Sequence, residues 1–371
     1  MASEQLHLIS FNVPYPPDYG GIIDIFYKIK ALKEAGVQVI LHCYTYGRQP
    51  SKELADLCSR VHYYPRKAGP RYFLQRDPYI TVTRNANTMP GNILGDKFPV
   101  LFEGLHSTAL LARCAAEGKT TLVRTHNIEH RYYRGLARSE TRWTNKAFLF
   151  SEAVKLKRYE QVLQHASHIL AISKSETAYF QERFGHAHFI PAFHRFTEVT
   201  SPPGKGDYVL FHGNLGVAEN SDVLIRMTRN ALSRTDHRVI VAGKNPPARL
   251  TRLLAPIRNI EVMADPTGEE MDDLIRNAQV NLLFTSQPTG IKLKLLHALH
   301  AGRHCLVNRE MIEGTGLAPL CTVATRPEEV ITGLETLMNQ PFTESLAEER
   351  RKALAEYSNM ESARRIIRLL S

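Results

Sequence analysis

The stretch Asn281–Gly302, NLLFTSQPTGIKLKLLHALHAG, holds a strand, a loop and a helix in direct succession. Its apolar start, Asn281 to Thr285, reads as a buried strand. Ile291, Leu295, Ala298 and Leu299 then recur at helical spacing and form the buried stripe of the helix that follows. Thr289 and Gly290 are expected near its N-cap, Lys292 and Lys294 in its first turn, and His297 one turn after Lys294 on the same face. A helix N-terminus carries partial positive charge, so two cations there cost roughly 0.3–1 kcal/mol each unless an anion such as a diphosphate binds. A solvated surface turn is the competing reading.

The same strand-then-helix unit recurs on both sides of this stretch. In the first half, Leu6–Val13, Val37–Tyr44, Val100–Glu103, Thr121–Thr125 and His168–Ile172 are short apolar runs alternating with helical patterns, including a long helix around Asn145–His165. The Pro-, Gly- and Ser-containing stretch Thr197–Asp207 reads as a linker, after which the alternation restarts at Tyr208. The spacing predicts an α/β chain of two doubly wound domains, residues 1–198 and 207–355. A terminal helical segment, 356–371, is expected to cross back onto the first domain.

Composition narrows the function classes. With 371 residues, 43% hydrophobic and 23% charged, the chain is globular, and its net charge of +10 favours anionic partners. No basic stretch is interleaved with aromatics and no nucleic-acid module is recognisable, so nucleic-acid binding is not expected. The five cysteines form no CxxC pair, which fits a reduced, cytoplasmic setting. No signal core precedes Leu6 and no run reaches the length of a membrane span, so membrane contact is expected to be peripheral, at an anionic inner face.

Ligands of doubly wound sheets bind beyond the carboxyl ends of the strands, so residues just after each strand carry the most weight. After the first strand, Gly20 and Gly21 open a helix where backbone N–H groups can approach an anion; a tight turn stiffened by prolines is the alternative. FEGLH and RTHNIEH gather Glu103, His106, Arg124, His126, Asn127, Glu129 and His130 at one sheet edge. Such a set suits sugar hydroxyls, phosphates or a proton-transferring imidazole, and its spacing matches no standard zinc motif. Ser173 in AISKSE reads as an N-cap. In the second half, Gly213 and Asn214 end a strand where backbone can approach a ligand, Asn220 reads as a cap, and Gly243 with Lys244 suits a phosphate or a base edge. No G-x-G-x-x-G fingerprint is present, which disfavours a dinucleotide oxidoreductase.

In their joint order, PYPPDYGG, RTHNIEH, AISKSE, HGNL and TGIKLKLLHALHAG resemble the GT-B glycosyltransferases of the large retaining family four, over essentially the whole chain. The resemblance implies two Rossmann-like domains facing a cleft. It also implies a nucleotide diphosphate sugar donor bound mainly by the second domain, a glycan or lipid-linked acceptor bound mainly by the first, and transfer with neither metal nor cofactor. By the same resemblance Gly20 and Gly21 approach the donor phosphates, and a histidine lies by the transferred sugar, His106 being the first match and His126 the second. The chain departs from the family pattern in two places. Asn214 stands at the usual Arg and Glu219 or Asn220 near the usual Lys, while Thr289 and His297 replace the two glutamates of E-x7-E. One account is a diphosphate grip moved to Lys292 and Lys294, with His297 reading the ribose. The alternatives are a noncatalytic partner with the fold retained, and a nucleotide-sugar epimerase.

Overall fold

The computed structural model describes residues 5–140, 142–287 and 292–370. Its first sheet holds seven parallel strands: β1 (Gln5–Ser10), β2 (Gln38–Thr45), β3 (Arg60–Pro65), β4 (Val100–Glu103), β5 (Thr121–Thr125), β6 (His168–Ala171) and β7 (Ala187–Phe189). They lie in the order β3-β2-β1-β4-β5-β6-β7. The second sheet holds six: β8 (Tyr208–Asn214), β9 (Arg238–Lys244), β10 (Ile260–Ala264), β11 (Val280–Leu283), β12 (His304–Val307) and β13 (Thr322–Val323), in the order β10-β9-β8-β11-β12-β13. Both sheets run outward from their first strand, then reverse to the other side of it. Crevices therefore open beyond the carboxyl ends of β1 and β4, and of β8 and β11.

Parallel strands covered on both faces must be apolar almost throughout. β8 begins YVLF, β11 is VNLL and β12 HCLV, and all these residues are buried. The opening stretch is built as its pattern predicts, with altered boundaries. The strand is Val280–Leu283 and the helix is Leu293–Ala301, ending at Gly302. Lys292 is the N-cap, extended at φ −90°, ψ 102°, so Lys292 lies before the first turn and Lys294 within it. Thr289 and Gly290 lie outside the described residues.

One compact unit comprises residues 5–195 with 356–370, and the other 196–287 with 292–355. The stretch read as a linker is fastened to the second unit: Gly204 bridges Phe342, and the Arg350 guanidinium donates to Ser201 Oγ at 3.0 Å and to the Gly302 carbonyl at 2.6 Å. The helix Asn359–Ile367 belongs to the first unit. Its Ala363 and Ile366, with Leu370 beyond, join the core formed by Leu6, Leu8, Ile25, Ile29 and Val39.

Candidate functional site

In the first unit the residues after β4 and β5 converge on the helix Gly20–Glu34, but mostly inside the protein. Asp24 and Lys28 sit one turn apart on the buried side of that helix. Asp24 accepts from Lys28 Nζ at 2.9 Å, from Arg124 Nε at 3.1 Å and Nη2 at 2.9 Å, and from the Phe193 N–H at 2.8 Å. Lys28 also donates to Glu103 at 2.7 Å, and Glu103 meets His126 Nε2 at 3.1 Å. Burial alone would raise the Asp24 and Glu103 carboxyls. Arg124 and then Lys28 around Asp24, and Lys28 with His126 around Glu103, outweigh it and hold both below the usual carboxylate range. Arg124 and Glu103, expected to bind sugar, are therefore fully buried partners in a charge network. Arg124 spends its remaining donors on the Ile190 and Pro191 carbonyls. Asp24, Glu103 and His126 bring three ligand-type atoms within 4.8 Å of one another, but the cation bonding both carboxylates is the Lys28 ammonium.

His106 and His126 both pack on Phe11, with ring centroids 5.1 and 5.7 Å away, so the two histidines named from the sequence share one aromatic neighbour. His106 Nδ1 is buried without a hydrogen-bond partner. Burial, then the nearby Arg84, His126 and Arg66 charges, pushes this imidazole well below its usual range and keeps it neutral. Gly104, at φ +70°, permits the approach, since a Cβ there would stand 2.8 Å from His106 Nδ1. Of the glycine pair, Gly21 lies against the ring of Phe11, where a Cβ would come within 2.8 Å, whereas Gly20 faces open space at its Cβ position. His130 is bonded to Glu160 at 3.3 Å, and Asn127 is half-buried. Glu129, also expected on the ligand side, is buried, and burial together with Glu176 pushes its carboxyl up to about 8. Ser173 caps its helix as expected, accepting from the Glu176 N–H at 3.3 Å. No motif pointed to Arg84, which donates to the Phe11 carbonyl at 2.7 Å and which burial, then Arg66, lowers to about 10.

In the second unit a carboxylate collects donors at the crevice between β8 and β11. Glu219 Oε1 accepts from the Thr285 hydroxyl at 2.8 Å, the Ser286 N–H at 2.5 Å and the Ser286 hydroxyl at 3.1 Å. Lys294, half-buried, sends Nζ to the Phe284 carbonyl at 3.2 Å. Burial lowers its ammonium to about 8, with Glu219 opposing that fall and Lys292 adding to it. The buried His212, which the sequence did not single out, lies beside this cation. Its Nε2 lacks a partner, and burial followed by the Lys294 charge drives its pKa well below the usual value. His297 Nε2 sits 3.2 Å from Asp272, with its ring on Phe196 at 4.7 Å.

The loop after β8 is held by its own groups. Asn214 accepts from the Gly216 N–H at 3.1 Å, and Asn220 donates to the Asn214 carbonyl at 2.9 Å. Asn220 is therefore not the cap. The helix begins at Ala218 after Val217, and Asn220 lies in its first turn. Gly243 has a packing reason to be glycine, since a Cβ there would overlap the Gly213 carbonyl of the neighbouring strand at 1.9 Å. Lys244 is exposed, and its carbonyl accepts the Gly216 N–H at 3.1 Å.

Residues 206–340 match the family model described as glycosyl transferases group 1. A Klebsiella pneumoniae protein described as an uncharacterized 44.6 kDa protein in the cps region is 25% identical over 327 residues, 83% of this chain and 84% of that protein. Among solved structures, sucrose-phosphate synthase of Thermosynechococcus elongatus superposes with a TM-score of 0.68 at 13% identity, covering 99% of this chain and 98% of that one. HepE of Anabaena, solved with UDP and glucose, superposes at 0.65 and 12% identity, with 98% of each chain covered. The fold is GT-B, two Rossmann-like domains with parallel sheets.

Proposed function

We propose that this chain, whose residues 206–340 match the model of the group 1 glycosyl transferases, moves a sugar from a nucleotide diphosphate donor to a glycan or lipid-linked acceptor, retaining the anomeric configuration without a metal. The observation that carries the reading is the cluster around Glu219. A backbone N–H, two hydroxyls and a nearby ammonium already hold one anionic group at the switch point of the second sheet. The chemistry that binds a carboxylate there also suits a phosphate.

In this reading Lys292 and Lys294 stabilise the charge that develops on the leaving diphosphate, with the Gly213–Asn214 turn of the same unit offering backbone contacts, and Gly20 with Gly21 are the first unit's own candidate anion contacts. Neutral His106 lies by the transferred sugar, and His126, anchored by Glu103, orients that wall. Asn127 is the acceptor-side contact that remains after Arg124 and Glu103 are assigned to the interior. His297 contacts the ribose by a hydrogen bond in place of the family's carboxylate. The HepE complex with UDP and glucose makes uridine nucleotides the first probes.

Titration calorimetry with UDP, GDP and their glucose and mannose conjugates tests the proposal. Binding of at least one diphosphate, with release of free nucleotide when an acceptor extract is added, is expected. Absence of heat with every nucleotide overturns it in favour of the noncatalytic reading. Conversion of the sugar nucleotide without an acceptor would make the protein an epimerase.

A further inference from the structure

The helix Trp143–Tyr159 has two apolar faces. The inner one, with Ala153 and Leu156 fully buried and Phe148 packed on Phe73 and Tyr79, belongs to the first unit. The outer one is unusual. Trp143, Ala147, Phe150 and Val154 recur at i, i+4, i+7 and i+11, a single stripe on the opposite side, and all four are exposed, Trp143 by 78% and Val154 by 63%. A second apolar tip lies against the same helix. Lys155 Nζ donates to the Phe73 carbonyl at 2.7 Å and Arg158 to that of Arg76, which fix the loop that carries Leu74, 92% exposed.

The charges around these side chains are mainly basic, with Asp77 and Glu140 the acidic residues at the edge. Lys146, Lys157 and Arg158 flank the stripe on its own helix, Arg71 and Arg76 flank Leu74, and the preceding helix Glu129–Ser139, which packs on this one, exposes Arg131, Arg134 and Arg138. Exposed large apolar groups would favour self-association on their own, but a second copy would bring the same arginines and lysines against these. An anionic bilayer removes that repulsion, and it accepts Trp and Phe at the headgroup boundary while its charge attracts the basic rim. Among the described residues no helix is long and apolar enough to cross a membrane, so the contact is one of lying on the surface.

We propose that the outer face of the Trp143–Tyr159 helix, with the Leu74 loop and the Arg131–Arg138 rim, docks this protein onto an anionic membrane surface. The inference goes beyond the transferase reading and does not depend on it. The chain has a single tryptophan, Trp143, so its fluorescence reports on this face alone. Purified protein is titrated with vesicles of phosphatidylcholine, with and without phosphatidylglycerol, following Trp143 emission and co-sedimentation. A blue shift and sedimentation with the anionic vesicles only are expected. Phe150→Ser with Leu74→Ser removes the shift. Arg134→Ser with Arg138→Ser lowers vesicle affinity by about 10-fold or more. All four positions are exposed, and circular dichroism confirms that each variant folds. Unchanged emission at saturating anionic vesicle overturns the proposal. So does equal binding to neutral vesicles, or a dimer in analytical ultracentrifugation that Phe150→Ser dissolves.

Discussion

Lys294 is the residue at which the proposed chemistry is most directly measurable. With its ammonium lowered to about 8, it is mostly charged at pH 7 and mostly neutral at pH 9. An anion bound beside it favours the protonated form, so binding takes up a proton as pH rises past 8 and affinity is lost above that point. UDP affinity is expected to fall about 10-fold between pH 7 and pH 9, with uridine unaffected and Lys294→Arg flattening the profile. Calorimetry in buffers of different ionisation enthalpy reads that proton directly. Glu219 makes the complementary case. Glu219→Gln keeps an acceptor for the Ser286 N–H and removes a negative charge from the anion site, so UDP binding should tighten by roughly 3- to 10-fold. Weaker binding would mean that the charge holds Lys294 in place. The lysines stood out in the sequence because two cations at a helix start are electrostatically odd. Glu219 was visible only as a departure near the family's usual Lys, and its role was not, because its three donors come from a loop more than sixty positions away and no local pattern encodes that contact. Arg124 misled for the same reason. A charged residue at a strand end reads as a ligand contact until the helix that covers it is known to carry Asp24.

At the scale of the element, the helix Gly20–Glu34 shows how one face both packs and positions. Ile22, Ile25, Ile29 and Leu32 fill the core, while Asp24 and Lys28 enter the same interior and tie the helix to β4 and β5 through Glu103 and Arg124. Removing one member of such a network leaves an unpaired charge in the core. Lys28→Met is expected to destabilise the first unit by roughly 3–5 kcal/mol, measured by denaturant unfolding, with the loss partly recovered in Lys28→Met combined with Glu103→Gln. Glu129 has the opposite sign. Its folded pKa of about 8 lies above that of a free carboxyl, so its contribution to stability is complete at low pH and is lost as pH rises towards and through 8. Thermal melts at pH 5 and pH 9 should show a smaller alkaline loss for Glu129→Gln than for the parent chain. Most strands were legible as short β-rich runs, because strands buried on both faces are apolar without interruption. Helix starts were legible at Gly20 and Ser173 but not throughout. The described helix begins at Leu293, and Ile291, which the spacing assigns to its stripe, lies outside the described residues.

At the scale of the whole molecule, the described residues of the first unit come from two separate pieces of chain, 5–195 and 356–370, and those of the second, 196–287 and 292–355, lie between them in sequence. Ala363, Ile366 and Leu370 enter a core otherwise made by residues before Phe196, and Asn359 exchanges hydrogen bonds with His194 at 3.1 and 2.6 Å. Truncation before Asn359 should therefore lower the calorimetric transition of the first unit by several degrees and leave that of the second in place. A shift confined to the second would contradict this packing. A polypeptide leaves the ribosome in order, so residues 5–195 emerge first yet stay open at one face until Asn359–Ile367 follows them out. The segment between has its whole core in a continuous run and can close before the domain that precedes it. The nascent first domain must keep the uncovered face of that core soluble throughout the interval.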